Sequence, residues 1–211
     1  MNGVVVNVRG INASGKSTAV REFCRAYSLQ PQEVMFVGEK FRIMTDGVRL
    51  VFGWYKPYSN SEGCDALRAD KDQFKSFFEY ALKRIKPRVV VYEKQIWSTT
   101  YKFTSEIAEI CNSHDYSFIA LQMCIRYETA LNRLFGRNGG NMTNLVNFDN
   151  RYYQVQCARK NMKEQGMTVF DADVDIIPEE KMGGCITWAL AMFGEGKKAG
   201  VLSDGFISYS E

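Results

Sequence analysis

Short apolar runs rich in valine alternate along the chain with longer segments in which apolar side chains recur every three or four positions. The short runs are typical of buried strands, and the longer segments have the period of amphipathic helices. The predicted strands cover residues 3–8, 88–92, 117–124 and 167–170. The predicted helices cover residues 16–27, 70–85, 104–112, 127–135, 148–165 and 179–193, with Thr104 or Ser105 as the cap of the third. This alternation indicates βαβ crossovers, so we expect an α/β three-layer sandwich: a mostly parallel sheet with helices on both faces.

Two regions depart from the alternation. Residues 34–54 hold three short β-prone runs separated by Gly38 and by Asp46-Gly47, which are turn signals. We expect one or two inserted antiparallel hairpins there. Gly183-Gly184 is a weak point of the last predicted helix, and we expect the tail from Gly194 onward to be loosely packed.

The composition is that of an ordinary globular protein. The 211 residues are 45% hydrophobic and 24% charged, which excludes a wholly disordered chain and suits one domain, residues 1–211. No apolar run approaches the roughly 18 residues of a membrane span, and no signal-peptide pattern is present. We therefore expect a cytoplasmic protein without a membrane partner.

Charge and cysteine content narrow the partners and cofactors. The net charge is +3, from 27 Lys and Arg residues against 24 Asp and Glu residues, which permits a polyanionic partner without requiring one. The six cysteines are widely spaced, no pair forms CxxC, and the single histidine is His114. The sequence thus offers no Cys/His zinc set, and we expect free thiols in a reducing compartment.

One motif carries a specific chemistry. The segment from Gly10 to Ser17 matches G-x-x-x-x-G-K-[ST], the Walker A phosphate loop, and it lies between a predicted strand and a predicted helix, as the mechanism requires. Glycines let the backbone wrap a phosphate, the lysine reaches the β- and γ-phosphates, and the serine hydroxyl binds Mg²⁺. We expect a nucleoside triphosphate to contact Gly10, Asn12, Ala13, Ser14, Gly15, Lys16, Ser17 and Thr18.

The remaining motifs narrow the class of phosphate-loop protein. The N-K-x-D and D-x-x-G motifs of a GTPase are absent from the sequence, and the second strand ends in Glu93-Lys94 rather than the Asp usual in motor and transporter ATPases. Arg126, Arg133 and Arg137 follow a late strand, where small-molecule kinases place a basic lid that neutralises the transferring phosphoryl group. We expect a lid region near residues 126–146 with Arg133 and Arg137 as catalytic residues. A solvated basic surface is the alternative.

With these features the chain resembles P-loop kinases of the nucleoside and nucleotide kinase group, and within it the tailed-phage kinases that phosphorylate 5-hydroxymethyluracil in DNA. The likeness covers most of residues 4–171. It rests on Asn7-Val8-Arg9-Gly10 with the phosphate loop, Gly63-Cys64-Asp65, Val91-Tyr92-Glu93 with Ser98-Thr99, the lid arginines and the helix around 151–160. Lys94-Gln95-Ile96-Trp97 departs from it, being more polar and aromatic than the Gly/Leu-containing run expected there. The resemblance implies a P-loop NTPase fold, ATP with Mg²⁺, and, for a phage protein, the cytoplasm of an infected host.

Two carboxylates are candidates for the base on the acceptor side. A hydroxyl acceptor loses its proton during phosphoryl transfer, whereas a phosphate acceptor needs no base. Glu93 is the first polar residue after a buried strand and could take that proton or hold Mg²⁺ together with Ser17. Glu39 follows the run 34–37, where deoxynucleoside kinases place their base. A strand-end ion pair for Glu93 and an exposed hairpin charge for Glu39 are the structural alternatives.

Several residues are candidates for contact with the acceptor. Trp54 and Tyr58, close to Lys56, suit stacking on a base, and an aromatic loop packed on the core is the alternative. Asp65 could hydrogen-bond the acceptor base or cap a helix, and Arg126 completes the substrate-binding set. A separate basic cluster could touch DNA phosphate or form a solvated helix end; it comprises Lys83, Arg84, Lys86 and Arg88.

Together these features predict a kinase that transfers the γ-phosphoryl group of ATP to a hydroxyl. The resemblance implies that the acceptor is the hydroxymethyl group of 5-hydroxymethyluracil in phage DNA, a base-modification reaction, so that DNA with a modified pyrimidine, or a free nucleotide, is the expected partner. Two alternatives stay open: a kinase of free nucleosides or nucleoside monophosphates, and a DNA-stimulated ATPase that serves as an accessory protein. The preference for ATP over GTP rests on the resemblance alone.

Overall fold

The structure is a computed structural model that describes residues 3–55, 70–93, 99–137, 139 and 147–202. Its strands are β1 Gly3–Arg9, β2 Gln30–Phe36, β3 Glu39–Thr45, β4 Arg49–Phe52, β5 Val89–Tyr92, β6 Tyr116–Cys124, β7 Thr168–Asp173 and β8 Ala199–Leu202. Its helices are α1 Lys16–Ala26, α2 Lys71–Tyr80, α3 Tyr101–Ser113, α4 Tyr127–Arg137, α5 Phe148–Glu164 and α6 Gly184–Gly194. A π-helical turn, Ala81–Ile85, continues α2, and a 3₁₀ turn, Glu179–Lys181, precedes α6. None of the helices within these ranges is both long and apolar enough to cross a membrane.

The eight strands form one sheet in the order β2-β3-β4-β5-β1-β6-β7-β8. Strand β1 lies inside the sheet and pairs in parallel with β5 and β6, as Asn7 opposite Tyr92 and opposite Ala120 shows. The pairs β4–β5, β6–β7 and β7–β8 are also parallel. The predicted α/β class with a mostly parallel sheet is therefore confirmed.

The inserted hairpins extend this sheet at one edge. Strands β2 and β3 pair antiparallel from Gln30 opposite Thr45 to Phe36 opposite Glu39, and β3 pairs antiparallel with β4. The two-residue turn between β2 and β3 has positive φ at Val37 and Gly38, as such a turn requires when it matches the twist of its strands. The prediction of hairpins in residues 34–54 is confirmed, although β2 begins four residues earlier than that range.

The alternation of side chains along β1 explains the layers. Val6 and Val8 face a core cluster that α1 and α6 cover, whereas Val5 faces a second cluster beneath α2 and α3. The second cluster is rich in phenylalanine, and the rings of Phe52 and Phe78 stack at 5.5 Å between centroids. Both faces of the central strands are buried in this way, which is why they read as continuous apolar runs.

Two helix boundaries differ from the sequence prediction. Helix α3 begins after Thr100 rather than at a cap on Thr104 or Ser105, because the Thr104 hydroxyl is buried inside the helix and donates to the carbonyl of Thr100 at 3.2 Å. The weak point at Gly183 is a real break between the 3₁₀ turn and α6. A Cβ atom on Gly183 would lie 2.7 Å from the Cβ of Glu22, so glycine allows α1 to approach closely.

The prediction of a loosely packed tail is wrong for residues 199–202. They form β8, which pairs with β7 from Val169 opposite Ala199 to Ala172 opposite Leu202. Gly200 lies beside the rings of Phe170 and Trp188, and Leu202 is buried. A four-residue run has too little internal pattern to identify a strand, and its stability comes from a neighbour that is distant in the sequence.

A buried ion-pair cluster attaches α5 to the sheet. Asp171, on β7, accepts hydrogen bonds from Nε and Nη2 of Arg159, both at 2.8 Å, and from Nζ of Lys163 at 2.6 Å. Burial acts to raise the pKa of Asp171, but these hydrogen bonds outweigh it, and the pKa lies below its usual value. The carboxylate therefore stabilises the fold only while it is ionised.

We predict that Asp171→Asn lowers the free energy of unfolding at neutral pH by about 2 kcal/mol, because two cations lose their buried partner. The greater stability of the wild type is fully present above pH 3.8, the usual pKa of aspartate. It is lost as the pH falls through the lower pKa that Asp171 has in the folded state. Urea denaturation of both proteins across this range measures it.

Glu33→Gln is the matched control, because Glu33 also pairs with two cations, Lys40 and Arg42, but on the surface. We expect the control to change stability by less than about 0.5 kcal/mol. Equal losses in the two variants would contradict a structural role for the buried cluster.

Candidate functional site

The carboxyl ends of the parallel strands meet at one edge of the sheet. Gly10 follows β1, Trp54 lies two residues after β4, Glu93 follows β5 and Arg126 lies two residues after β6. Ligands of open parallel sheets bind outside these ends, in the loops that follow the strands. The sequence-predicted residues that the structure describes thus gather largely at this edge.

The loop between β1 and α1 has a backbone that only certain residues tolerate. Gly10, Ala13 and Gly15 have φ angles of 146°, 64° and 80°. A Cβ atom on Gly10 would overlap the side chain of Ser14 and lie 2.9 Å from the carbonyl oxygen of Met123. Gly15 is the N-cap of α1 and brings no side chain to the first turn of that helix. The loop therefore presents the amino end of α1, where backbone N–H groups and the helix dipole favour anions.

Lys16 lies across this loop. Its side chain is buried, and its ammonium group donates to the carbonyl oxygen of Ile11 at 2.8 Å. A buried ammonium is placed in this way at the centre of the loop, one residue after the helix N-cap.

Glu93 joins the loop to two other strands. It is 6% exposed, and its Oε1 accepts a hydrogen bond from the hydroxyl of Ser17 at 2.8 Å and from the hydroxyl of Tyr55 at 3.3 Å. Ser17 belongs to the first turn of α1 and Tyr55 follows β4. The structure thus brings together the predicted pair Ser17 and Glu93, and it adds Tyr55, the residue after the candidate stacking residue Trp54.

Arg9 supports the loop from the other face of the sheet. It is 1% exposed and donates through Nη1 to the Thr104 hydroxyl in α3 and to Asn7 Oδ1 at 3.4 Å. Burial lowers the pKa of Arg9 to about 10, while the electrostatic interaction with Tyr92 opposes that effect. The end of β1 is thereby tied to α3 immediately before the loop begins. The buried position of Arg9 could not be read from the sequence, because this charged residue lies just beyond the predicted strand 3–8.

The acceptor-side candidates are placed only in part. Trp54 is half-buried, and the guanidinium of Arg42 lies 4.4 Å from the centre of its ring. Tyr58, Asp65 and Lys56 lie outside the described residues. Because Tyr55 is buried in the core, the alternative of an aromatic loop packed inward holds for this residue.

Glu39 lies at the start of β3 and accepts a hydrogen bond from Gln73, in the first turn of α2, at 3.1 Å. It is four residues before Ile43, which pairs with Phe52 at the end of β4. At about 3.4 Å per residue, Glu39 lies about 14 Å beyond that end of β4. Its role as a base stays a prediction.

The three predicted lid arginines are not equivalent. Arg126 donates to Asp175 Oδ2 from its backbone nitrogen at 2.7 Å and from Nε at 3.2 Å. Arg133 donates from Nη2 to the carbonyl oxygen of Val174 at 3.4 Å, and Arg137 is exposed in the last turn of α4. Burial acts to raise the pKa of Asp175, but the hydrogen bonds from Arg126 and its neighbours outweigh it and lower that pKa. Arg126 and Arg133 thus hold the segment after β7, and contact with phosphate stays a prediction.

That segment is a part of the site that the sequence did not identify. Ile177 and Met182, which follow β7, share a core cluster with Ile11 of the loop. The methyl group of Met182 would lie 3.2 Å from a Cβ atom on Gly15. The only sequence signal was the apolar pair Ile176-Ile177 within an otherwise acidic stretch.

No protein-family profile matches the chain, and no curated protein matches it significantly. Within the described ranges, no group of three or more His, Cys, Asp or Glu side chains could hold a metal ion by itself. The cysteines described there are free thiols.

We predict that Gly10→Ala lowers the free energy of unfolding by at least about 1 kcal/mol more than Gly47→Ala does. Both glycines have positive φ, but a Cβ on Gly47 would meet nothing within 4 Å, whereas one on Gly10 meets Met123 and Ser14. Urea denaturation of both variants measures the difference. Equal losses would mean that φ alone, and not close packing, requires glycine at position 10.

Proposed function

We propose that the chain is a P-loop kinase that transfers the γ-phosphoryl group of ATP to a hydroxyl acceptor. The observation that carries this proposal is the 2.8 Å hydrogen bond between Ser17, in the first turn of α1, and Glu93, at the end of the neighbouring parallel strand. It places a hydroxyl and a carboxylate beside a glycine-bounded loop at a helix N-terminus. A nucleoside triphosphate with a divalent cation needs these groups in this arrangement.

The residues of the loop have distinct roles in this proposal. The backbone from Ala13 to Thr18 and the amino end of α1 hold the phosphates. Lys16 exchanges its contact with the Ile11 carbonyl for phosphate oxygens, which keeps its ammonium group paired throughout. Arg133 and Arg137 are the proposed lid cations.

The donor set fits magnesium. Mg²⁺ prefers hard oxygen ligands and usually keeps several water molecules, so the Ser17 hydroxyl and the phosphates would hold it directly and Glu93 would reach it through a bound water. When bound, Mg²⁺ would neutralise charge on the phosphates and orient them.

The finer proposal concerns the acceptor. Glu93 follows β5 and is touched by Tyr55, which follows β4, so it lies between the phosphate loop and the side of the sheet that carries the hairpins. A carboxylate there can accept the proton that a hydroxyl loses during transfer, which a phosphate acceptor does not require. The hydroxymethyl group of 5-hydroxymethyluracil in DNA is the acceptor we propose. A base within a duplex must leave the stack to reach such a site.

The test is incubation with ATP labelled in the γ-phosphate and a set of acceptors: DNA containing 5-hydroxymethyluracil, ordinary DNA, free nucleosides and nucleoside monophosphates. We expect label in the modified DNA, and none with Lys16→Ala. Label in free nucleosides or nucleotides alone would retain the kinase and replace the acceptor. Label only in inorganic phosphate, stimulated by DNA, would replace the kinase with an ATPase.

We predict that Glu93→Gln lowers phosphoryl transfer at least about 100-fold while Mg·ATP affinity stays within a few-fold, because the amide cannot accept the proton. Glu39→Gln tests the other candidate base, and transfer should stay within a few-fold of wild type if Glu93 is the base. Single-turnover transfer and equilibrium binding measure the two effects. Loss of Mg·ATP binding in Glu93→Gln would instead make Glu93 a metal ligand only, and a large loss in Glu39→Gln would make Glu39 the base.

We predict that Tyr55→Phe lowers the transfer rate about 3- to 10-fold and moves the acid limb of the pH–rate profile to higher pH. A hydrogen bond to a carboxylate favours its ionised form, so removal of the donor makes the carboxylate easier to protonate. Tyr116→Phe is the control, since it removes a buried hydroxyl that donates to the Pro87 carbonyl at 2.8 Å, away from the site. An unmoved acid limb in Tyr55→Phe would leave Tyr55 a purely structural residue.

A further inference from the structure

The basic cluster of the sequence lies at the edge of the sheet opposite the candidate site. Lys83 and Arg84 belong to the π-helical turn after α2, Lys86 follows it, and Arg88 directly precedes β5. The backbone carbonyl of Arg88 accepts a hydrogen bond from Val4 at the start of β1, at 2.9 Å. Strand β1 has 7 residues, so the two edges are about 20 Å apart.

The four cations are all exposed, and no carboxylate of the described residues lies within ion-pair distance of them. Acidic side chains on the same helix and on the neighbouring β3–β4 turn have other partners. Glu79 lies 3.2 Å from Nε2 of His114, and Asp46 lies 2.6 Å from Arg49. Cations elsewhere, such as Lys40, Arg42 and Lys75, do have carboxylate partners. The cluster is therefore a local excess of positive charge in a chain whose net charge is only +3.

The backbone that carries these cations is fixed in place. Lys86 has a φ of 56° and its N–H donates to the Ala81 carbonyl, which ends the π-helical turn. The Pro87 carbonyl accepts the Tyr116 hydroxyl at 2.8 Å, and the N–H of Arg88 donates to the Val48 carbonyl at 2.7 Å. Four like charges within six residues, with no carboxylate partner among the described residues, repel one another, and a bound polyanion would relieve that repulsion.

We propose that the basic cluster is a binding surface for the sugar–phosphate backbone of DNA; it consists of Lys83, Arg84, Lys86 and Arg88. This proposal rests on the proposed function, because it takes the acceptor to be part of a polymer. A free nucleotide at Glu93 cannot reach a surface about 20 Å away, whereas a long DNA chain can contact both edges by bending or through a separate segment. Contacts to phosphate carry affinity without sequence preference, so this surface would hold DNA of any sequence near the transfer site.

An anionic membrane is the other polyanionic partner to consider. Membrane-surface segments combine cations with apolar side chains that enter the lipid. Within the π-helical turn, Leu82 is buried and Ile85 is half-buried, so its exposed side chains are the cations. This arrangement favours a phosphate backbone in solution.

The test compares two double variants of the full chain that change the net charge equally. Arg84→Gln/Lys86→Gln removes half of the cluster, while Arg25→Gln/Lys160→Gln removes two exposed cations from the surfaces of α1 and α5. The probe is a short fluorescein-labelled duplex of unmodified DNA, and anisotropy gives its affinity at several salt concentrations. We expect the cluster variant to bind about 3- to 10-fold more weakly at low salt, with a salt slope that falls by about 1–2, because each phosphate contact contributes about 0.9. The control variant stays within twofold of wild type.

Each other result overturns the proposal. If both variants bind DNA equally more weakly than wild type, the effect is one of net charge. If both bind DNA as tightly as wild type, the cluster is not a DNA-binding surface. Vesicles of anionic lipid that bind more tightly than DNA, and lose binding in the cluster variant, would reassign the surface to a membrane. The proposed function is judged by a separate result. If the protein transfers no phosphate, but salt-dependent DNA binding is lost only in the cluster variant, the DNA-binding surface stands and the kinase proposal fails. Any transfer to free nucleosides should be equal in wild type and both variants.

Discussion

The candidate site depends on one buried carboxylate that accepts hydrogen bonds from two hydroxyl groups, each on a segment that follows a different strand. Glu93 ends β5, Ser17 opens α1 after β1, and Tyr55 follows β4. Each of these segments is positioned by parallel pairing to its neighbour, so the geometry of the carboxylate is set by strand register rather than by the loops alone. A shift in either pairing would separate the oxygen atoms and dismantle the site.

The apolar core provides the rigidity that this contact needs, and a few buried polar groups provide its precision. Arg9 ties the end of β1 to Thr104 in α3, on the face of the sheet opposite the valines that pack beneath α1. Burial of a guanidinium is costly, as the lowered pKa of Arg9 reflects, and the hydrogen bonds of Arg9 to Thr104 and Asn7 offset that cost while they position the end of β1. Asp171 serves similarly further along the sheet, where it fixes α5 to β7.

The fold was largely predictable from the sequence because its signals are local. Valine-rich strands and helices with a regular apolar period identify an α/β fold, and the Walker A motif from Gly10 to Ser17 marks the loop between β1 and α1. What the sequence could not supply came from contacts between distant segments. The pairing of β8 with β7, the hydrogen bond of Tyr55 to Glu93, and the approach of Met182 to Gly15 each join residues that no local pattern relates.

The polarity of the parallel sheet separates two electrostatic tasks. Loops after the strands carry the groups proposed to act on the phosphoryl group, and the turns before β5 carry the basic cluster. At physiological ionic strength the Debye length is about 8 Å, while the two edges are about 20 Å apart. Charge at one edge is therefore largely screened from the other, so the proposed binding of a polyanion at the cluster would leave the proposed chemistry at Glu93 unchanged. A protein that acts on one unit of a polymer benefits from this separation, because its affinity for the polymer and its reactivity toward the unit can then be adjusted independently.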